Sequence, residues 1–228
     1  MHWLEKWLLP SRCVIRDKPS EQLDLSSELV ASWPVPESVC PCCCEPCSEA
    51  SAGSVCGTCL LNPPAFDRTQ VGFYFDAELV ALLHAFKYGH QMAYGRILAD
   101  LLSSRLEASN IDALVAVPIH PLRRRERGFN QAEQIAMPLA KALRIPLIRG
   151  AVKRVKNTPS QTHLNKAQRQ RNLKRAFAVE AERFSGVRRI ALIDDVITTG
   201  ATMQQLAQAI KADTGIDYVE SWAVAKTK

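Results

Sequence analysis

Two stretches of this sequence carry side chains whose types and spacing suit chemistry. The first is Ile190-Ala191-Leu192-Ile193-Asp194-Asp195-Val196-Ile197-Thr198-Thr199-Gly200-Ala201-Thr202. An apolar run that ends in two carboxylates reads as a buried strand delivering acids to its carboxyl edge, where open α/β sheets bind ligands. The small, hydroxylated residues that follow open a helix. Backbone N–H groups in such a turn converge on an anion, the helix dipole adds attraction, and the threonine hydroxyls supply further donors. Gly200 lets the chain approach a phosphate with no side chain in the way. Asp194 and Asp195 beside that cup repel a second phosphate but accept hydrogen bonds from hydroxyl groups. The arrangement describes a sugar phosphate, with its phosphate on the loop of Thr198, Thr199, Gly200 and Thr202 and its ribose diol on the acids.

The second stretch is a cysteine cluster. Seven of the eight cysteines lie between Cys40 and Cys59. Such crowding points to metal binding in a reducing compartment and away from a disulfide framework. A four-coordinate zinc site needs two Cys-x-x-Cys knuckles brought together. Cys56-Gly57-Thr58-Cys59 is one of them. The other is either Cys40-Pro41-Cys42-Cys43 or Cys44-Glu45-Pro46-Cys47, and spacing alone leaves both open.

Charge adds a third clue. The net charge is +6, yet the stretch from His120 to Phe177 holds fifteen Lys or Arg against two acids, Glu126 and Glu133. A block so basic favours anionic partners, either phosphorylated small molecules or nucleic acid. At 47% hydrophobic and 23% charged, the 228-residue chain is too apolar to be disordered and long enough for one buried domain with an appendage. No run approaches the ~18 apolar residues of a membrane span. The start, with Trp3, Leu4, Trp7 and Leu8, reads as a helical turn packed on the body rather than a signal or anchor, so a cytoplasmic location is expected.

Those groups need elements to hold them. Residues 1–66, sparse in periodic segments and ending in Asn62-Pro63-Pro64, read as an N-terminal extension with a ribbon-like Cys region. Residues 67–228 read as the main domain. Strands are expected at Gln70–Phe75, Ala113–Val117, Pro146–Val152, Ile190–Ile193 and Tyr218–Val224. Helical spacing of apolar residues marks Ala77–Tyr88, Ile97–Leu106, Asn130–Leu143 and Thr202–Lys211, with Pro138 expected to kink or restart the third. Strands alternating with helices imply an α/β fold with a mostly parallel sheet flanked by helices. Lys153–Arg175 fits neither pattern and is a long basic loop, which is usually functional. Arg123 and Arg127 are expected to flank the Gly128-Phe129 turn, outside any polar helix stripe. His120, between Pro118 and Pro121, could act as an acid or base, but a lone His so placed more often satisfies a backbone carbonyl.

The pattern of an apolar strand, Asp194-Asp195, two residues, Thr198-Thr199-Gly200, one residue and Thr202 is similar to the phosphoribosyl pyrophosphate (PRPP) signature of the type I phosphoribosyltransferases. Val117-Pro118 through Arg123, Arg127-Gly128-Phe129-Asn130-Gln131 resembles the signature of the ComF/GntX family of competence-related proteins. Phe86-Lys87-Tyr88, and Thr158, Gln161, Leu164, Arg171 and Asn172 in the basic loop, agree with that family. The resemblance implies a type I phosphoribosyltransferase fold with a small N-terminal zinc ribbon. It makes Asp194 and Asp195 the catalytic, ribose-binding acids. It assigns Val196, Thr198, Thr199, Gly200, Ala201 and Thr202 to the PRPP phosphate, and Lys87, Arg123, Arg127 and Arg171 to pyrophosphate or another anion. The family's Cys-Pro-x-Cys favours Cys40 and Cys43, with Cys56 and Cys59, as ligands to a structural Zn²⁺, leaving Cys44 and Cys47 as the alternative first pair. Mg²⁺ would accompany PRPP. The implied role is in DNA uptake, natural transformation or use of imported DNA. Single-stranded DNA and a helicase-like protein of the uptake machinery are the implied partners. Two functions fit: a phosphoribosyltransferase, or a non-catalytic DNA- or partner-binding protein that keeps the fold.

Overall fold

The four strongest apolar runs pair with one another, as strands buried on both faces do. The computed structural model describes residues 13–15, 24–89, 91–108, 110–156 and 176–227. After the short helices α1 (Ser27–Ser32) and α2 (Gly57–Leu61) come β1 (Arg68–Tyr74), α3 (Ala77–Tyr88), α4 (Tyr94–Ser103) and β2 (Ala113–Ala116). Then follow α5 (Pro121–Arg127), α6 (Gln131–Leu143), β3 (Val152–Arg154), β4 (Phe177–Val179), β5 (Arg189–Ile197), α7 (Ala201–Asp213) and β6 (Tyr218–Lys226). Strands β1, β6, β5 and β2, in that spatial order, form one wholly parallel sheet. This is the helix-flanked parallel sheet expected from the sequence.

Alternation along the strands divides the core. Ala191 and Ile193 of β5, with Phe73 and Trp222, pack against Leu82, Leu98 and Ile135 of α3, α4 and α6. Ile190 and Leu192 face the other way, towards Met203, Leu206 and Ile210 of α7. The same period of two sends Asp195 to the α3 side of the sheet and Asp194 to the α7 side.

Most expected elements stand within a few residues of their expected bounds, and three expectations change. Pro138 does not restart α6, which runs through it from Gln131 to Leu143. Proline deprives the Gln134 carbonyl, one turn back, of its helical donor. Gly95 of α4 sits against that carbonyl so closely that a Cβ there would lie 2.9 Å from the oxygen, so the notch between the helices absorbs the defect. The expected strand Pro146–Val152 is a single bridge of Leu147 to Leu114 on the outer edge of β2. Gly150, at φ +71°, then turns the chain away, and Val152–Arg154 pairs antiparallel with Phe177–Val179 instead. The third change is α5, a helix where a turn was expected. It is built by ends, with Pro121 at its first position, the His120 Nδ1 accepting from the Leu122 N–H at 3.3 Å, and Gly128 at φ +81° closing it.

Candidate functional site

Strand β5 runs four residues past the end of β2 and carries Asp194 and Asp195 to the carboxyl edge of the sheet. Asp195 is buried, and among the described residues its Oδ2 makes no hydrogen bond other than its ion pair with the Lys87 ammonium at 2.7 Å. Lys87 stands in the last turn of α3, so the Phe86-Lys87-Tyr88 motif reaches the acids across the α3 face of the sheet. Asp194 accepts the Asp195 backbone N–H at 2.9 Å. Burial and the neighbouring Asp195 charge push the Asp194 carboxyl well above the usual carboxylate range, to about 8, against the pull of that N–H and of Lys87. Lys87 balances the charge of Asp195, and the proton that Asp194 keeps up to about pH 8 balances the second acid until a ligand displaces it.

The chain then turns through exposed Thr198 and Thr199 to Gly200, at φ +70°, which starts α7. Val196, Ala201 and Thr202 are half-buried around this turn. The first-turn N–H groups of α7 have no partner within the helix, so the loop keeps the donors an anion needs.

The arginines gather on the opposite wall. Arg127, at the end of α5, lies over the Tyr88 ring, 5.4 Å from its centroid, and approaches the Gln131 side chain. Tyr88 is the residue after Lys87, so Arg127 packs on the same end of α3. Asn130 donates to the Val117 carbonyl at 3.0 Å and Phe129 packs on Phe86, so the Gly-Phe-Asn-Gln motif serves to hold α5 against the body. Arg123 lies on α5 as well, on a helix and not beside the Gly-Phe turn. Its charge and that of Asp194 both act on Arg154, whose guanidinium is held below its ordinary range first by burial and then by Arg123. Sequence reasoning did not single out Arg154, although its position at the foot of the basic loop is a usable signal. His120 accepts the Leu122 N–H, and among the described residues it donates to no carbonyl. Thr158, Gln161, Leu164, Arg171 and Asn172 lie outside the described residues, as do Trp3, Leu4, Trp7 and Leu8.

Of the two cysteine arrangements, the structure brings together Cys40, Cys43, Cys56 and Cys59, whose sulfurs all lie within 4.8 Å of one another. Cys43 and Cys56 sulfurs are 3.8 Å apart. Four thiolates at about 2.3 Å from a tetrahedral zinc stand about that far from each other, so the residues fit the ion. Burial opposes ionisation of Cys40, but backbone N–H groups of Cys56, Cys43 and Cys42 aimed at its sulfur prevail and lower the thiol to about 7. Burial raises Cys43 to about 12 and raises Cys59 as well. A metal is what would allow all four to ionise together. Cys44 belongs instead to the apolar cluster under α7, and Cys47 points at the Glu45 carbonyl.

The first expected result follows. Elemental analysis of the purified protein gives one zinc per chain. Cys43→Ser or Cys56→Ser loses it, while Cys44→Ala and Cys47→Ser keep it. Retention by the first two variants would reassign the ligands.

Comparison with known proteins places the chain. No family model matches it. It is 34% identical to Competence protein F of Haemophilus influenzae over 180 residues, covering 75% of this chain and 78% of that protein. It is 32% identical to DNA utilization protein YhgH of Salmonella typhimurium over 197 residues, covering 83% and 85%. With YhgH of Escherichia coli K12 the identity is 31% over 198 residues, covering 84% and 85%. A solved adenine phosphoribosyltransferase from Thermoanaerobacter pseudethanolicus superposes with a TM-score of 0.38 at 14% identity, over 60% of this chain and 82% of that one. Among the described residues no helix is long and apolar enough to cross a membrane. Identity above 30% over more than three quarters of these relatives establishes that the chain belongs to the competence protein F (ComF/GntX) family.

Proposed function

We propose that the chain binds a PRPP-like phosphorylated sugar at the Asp194–Thr202 loop and serves the use of imported DNA. The second part rests on the names of its relatives, competence and DNA utilization proteins. The observation that carries the first is the joining of a carboxylate pair, half neutralised by Lys87, to an open helix start at Gly200. The phosphate would take the N–H groups and hydroxyls of Thr198, Thr199, Gly200 and Thr202, and the ribose hydroxyls would donate to Asp194 and Asp195. Paired carboxylates are hard oxygen donors that suit Mg²⁺, which binds through one or two carboxylates together with substrate phosphates. Bound there, Mg²⁺ would neutralise the diphosphate. Arg123 and Arg127 would hold the same group through charge-assisted bonds.

Calorimetric titration of the zinc-loaded protein with PRPP and Mg²⁺ tests this reading. Saturable binding is expected, weakened about tenfold or more, roughly 1.4 kcal/mol, by Asp194→Asn/Asp195→Asn. Absence of binding at millimolar PRPP overturns it.

One observation favours a second reading, a site for single-stranded DNA. A groove of about 1010 Å³ runs between α5 and the foot of the basic loop, lined by Arg124, Arg125, Arg149, Lys153 and Arg154 over an apolar floor. Part of that charge is spent internally, since Arg149 and Arg124 share Glu133 and Lys153 pairs with Glu180. An affinity for oligonucleotides that falls steeply between two salt concentrations is the mark of backbone binding.

A further inference from the structure

We propose that the cysteine ribbon forms one wall of the phosphate-loop site, so that metal in the ribbon and ligand on the loop bind cooperatively through Glu45, Lys226 and Phe66. This rests on the PRPP-like reading above and adds to it a coupling between the two sites.

Three contacts join the ribbon to the loop. Lys226, the last residue of β6, is buried and pairs with Glu45 at 2.6 Å. In the sheet register Lys226 stands opposite Ile197, the residue before Thr198. Glu45 follows the ligand Cys43 by two residues, in a turn closed by the Cys40 N–H on the Glu45 carbonyl at 2.9 Å and the Cys44 N–H on the Cys40 carbonyl at 2.8 Å. The second contact is Phe66, whose ring lies 3.8 Å from where a Gly200 side chain would begin. The Phe66 carbonyl in turn receives the thiol of Cys42, at 3.9 Å, from between the ligands Cys40 and Cys43. The third is the Ala65 N–H, which donates to Gln204 in the first turn of α7 at 2.6 Å. A cavity of about 50 Å³ lies where these parts meet, with Cys43, Glu45 and Phe66 on one side and Thr198, Thr199 and Gly200 on the other. Ser221 opens into it, its buried hydroxyl without a partner among the described residues.

The physical consequence is directional. Without a metal the Cys43 side of the turn that carries Glu45 loses its tie to Cys56 and Cys59, and the turn keeps its anchorage to the body through the Thr69 N–H on the Pro41 carbonyl, the Thr69 hydroxyl on the Cys42 carbonyl and buried Cys44. Displacing Glu45 leaves a buried ammonium without its counter-charge, a state costly enough that Lys226 must move to water. Lys226 cannot leave without disturbing the end of β6 and, through it, Ile197 and the loop. Coupling of this kind is reciprocal: if metal strengthens ligand binding by some factor, ligand strengthens metal binding by the same factor.

The test measures both halves. Zinc affinity of the full chain is read at equilibrium against a chromophoric chelator, in excess Mg²⁺, with and without saturating PRPP. PRPP is expected to tighten zinc at least about fivefold, the lower end of ordinary allosteric coupling. Zinc-stripped protein is expected to bind PRPP weaker by the same factor in calorimetry. Glu45→Gln keeps its four sulfur ligands and therefore its zinc, and reduces the PRPP effect to less than twofold. That variant also corrects for any zinc held by PRPP itself. If zinc-stripped protein unfolds, the chelator measurement on loaded protein still decides. Zinc affinity indifferent to saturating PRPP overturns the coupling and leaves the PRPP reading standing. Failure of loaded protein to bind PRPP overturns both.

Discussion

Replacing Lys87 by methionine is expected to destabilise the protein by about 2 kcal/mol, because it strips the counter-charge from a buried carboxylate. Asp195 is only 7% exposed, and its Oδ2 has the Lys87 ammonium as its sole described partner. Removing one member of a fully buried pair costs about 3–5 kcal/mol. Lys87 is itself 23% exposed, so water offsets part of that cost. In a chain of this size the loss corresponds to a fall in Tm of roughly 4–8 °C. Asp195→Asn introduced into Lys87→Met removes the orphaned charge and should recover most of the stability, whereas independent roles would give additive losses. Thermal denaturation of the four proteins at one pH measures the cycle. A Lys87→Met protein as stable as wild type would mean that the acid finds water or another donor, and that the motif lysine is free for ligand. The expected result places Lys87 in a double role, neutralising Asp195 in the empty site and remaining within reach of an anion that enters.

The chemistry of the loop was legible because it is local. An apolar run that stops at two acids and continues as Thr-Thr-Gly tells its own story, and the observed β5 and α7 carry it. The partner of Asp195 was not legible, since Lys87 reaches it only after α3 and β5 pack on one sheet. Helix α5 was missed for a different reason. It buries no residue and leaves Leu122 exposed, so it has no apolar period to read. Its signals are those of its ends, Pro121 after a capping side chain and Gly128 at the close, and an end-first reading would have found it. The cysteine pairing was half legible. Spacing admitted two first knuckles, and only the fold, by sinking Cys44 into the core beneath α7, separates them. Glu45 and Lys226, almost the whole chain apart, gave no signal at all. Contacts of that kind follow from topology, and they are what ties the ribbon to the sheet edge.

The pH dependence of ligand affinity should be the largest effect of all, and it rests on Asp194. Burial and the adjacent Asp195 charge raise its carboxyl to about 8, so at neutral pH the empty site holds a proton that an unfolded chain would release. By linkage, stability conferred by that proton is lost as pH rises from the ordinary carboxylate range towards 8. Asp194→Asn cannot ionise. Its stability relative to wild type should therefore grow over the same window and level off above it. Ligand binding runs the other way. Ribose hydroxyls and Mg²⁺ both require the ionised acid, so binding expels the proton and affinity should rise with pH by up to about tenfold per unit until about 8. Titrations of wild type and Asp194→Asn with PRPP and Mg²⁺ at pH 6, 7, 8 and 9 separate this from the titration of the ligand's own phosphates, which is common to both. The gap between the two proteins should widen about fiftyfold from pH 6 to pH 8, where half of the acid is ionised, and level off within the next unit. A gap of constant size from pH 6 upward would mean that Asp194 is already ionised in the empty site, and that the surplus charge beside Lys87 is neutralised in some other way. The same carboxyl would thus weaken the fold at the pH where it serves the ligand, a trade of stability for function set by placing two acids against one lysine.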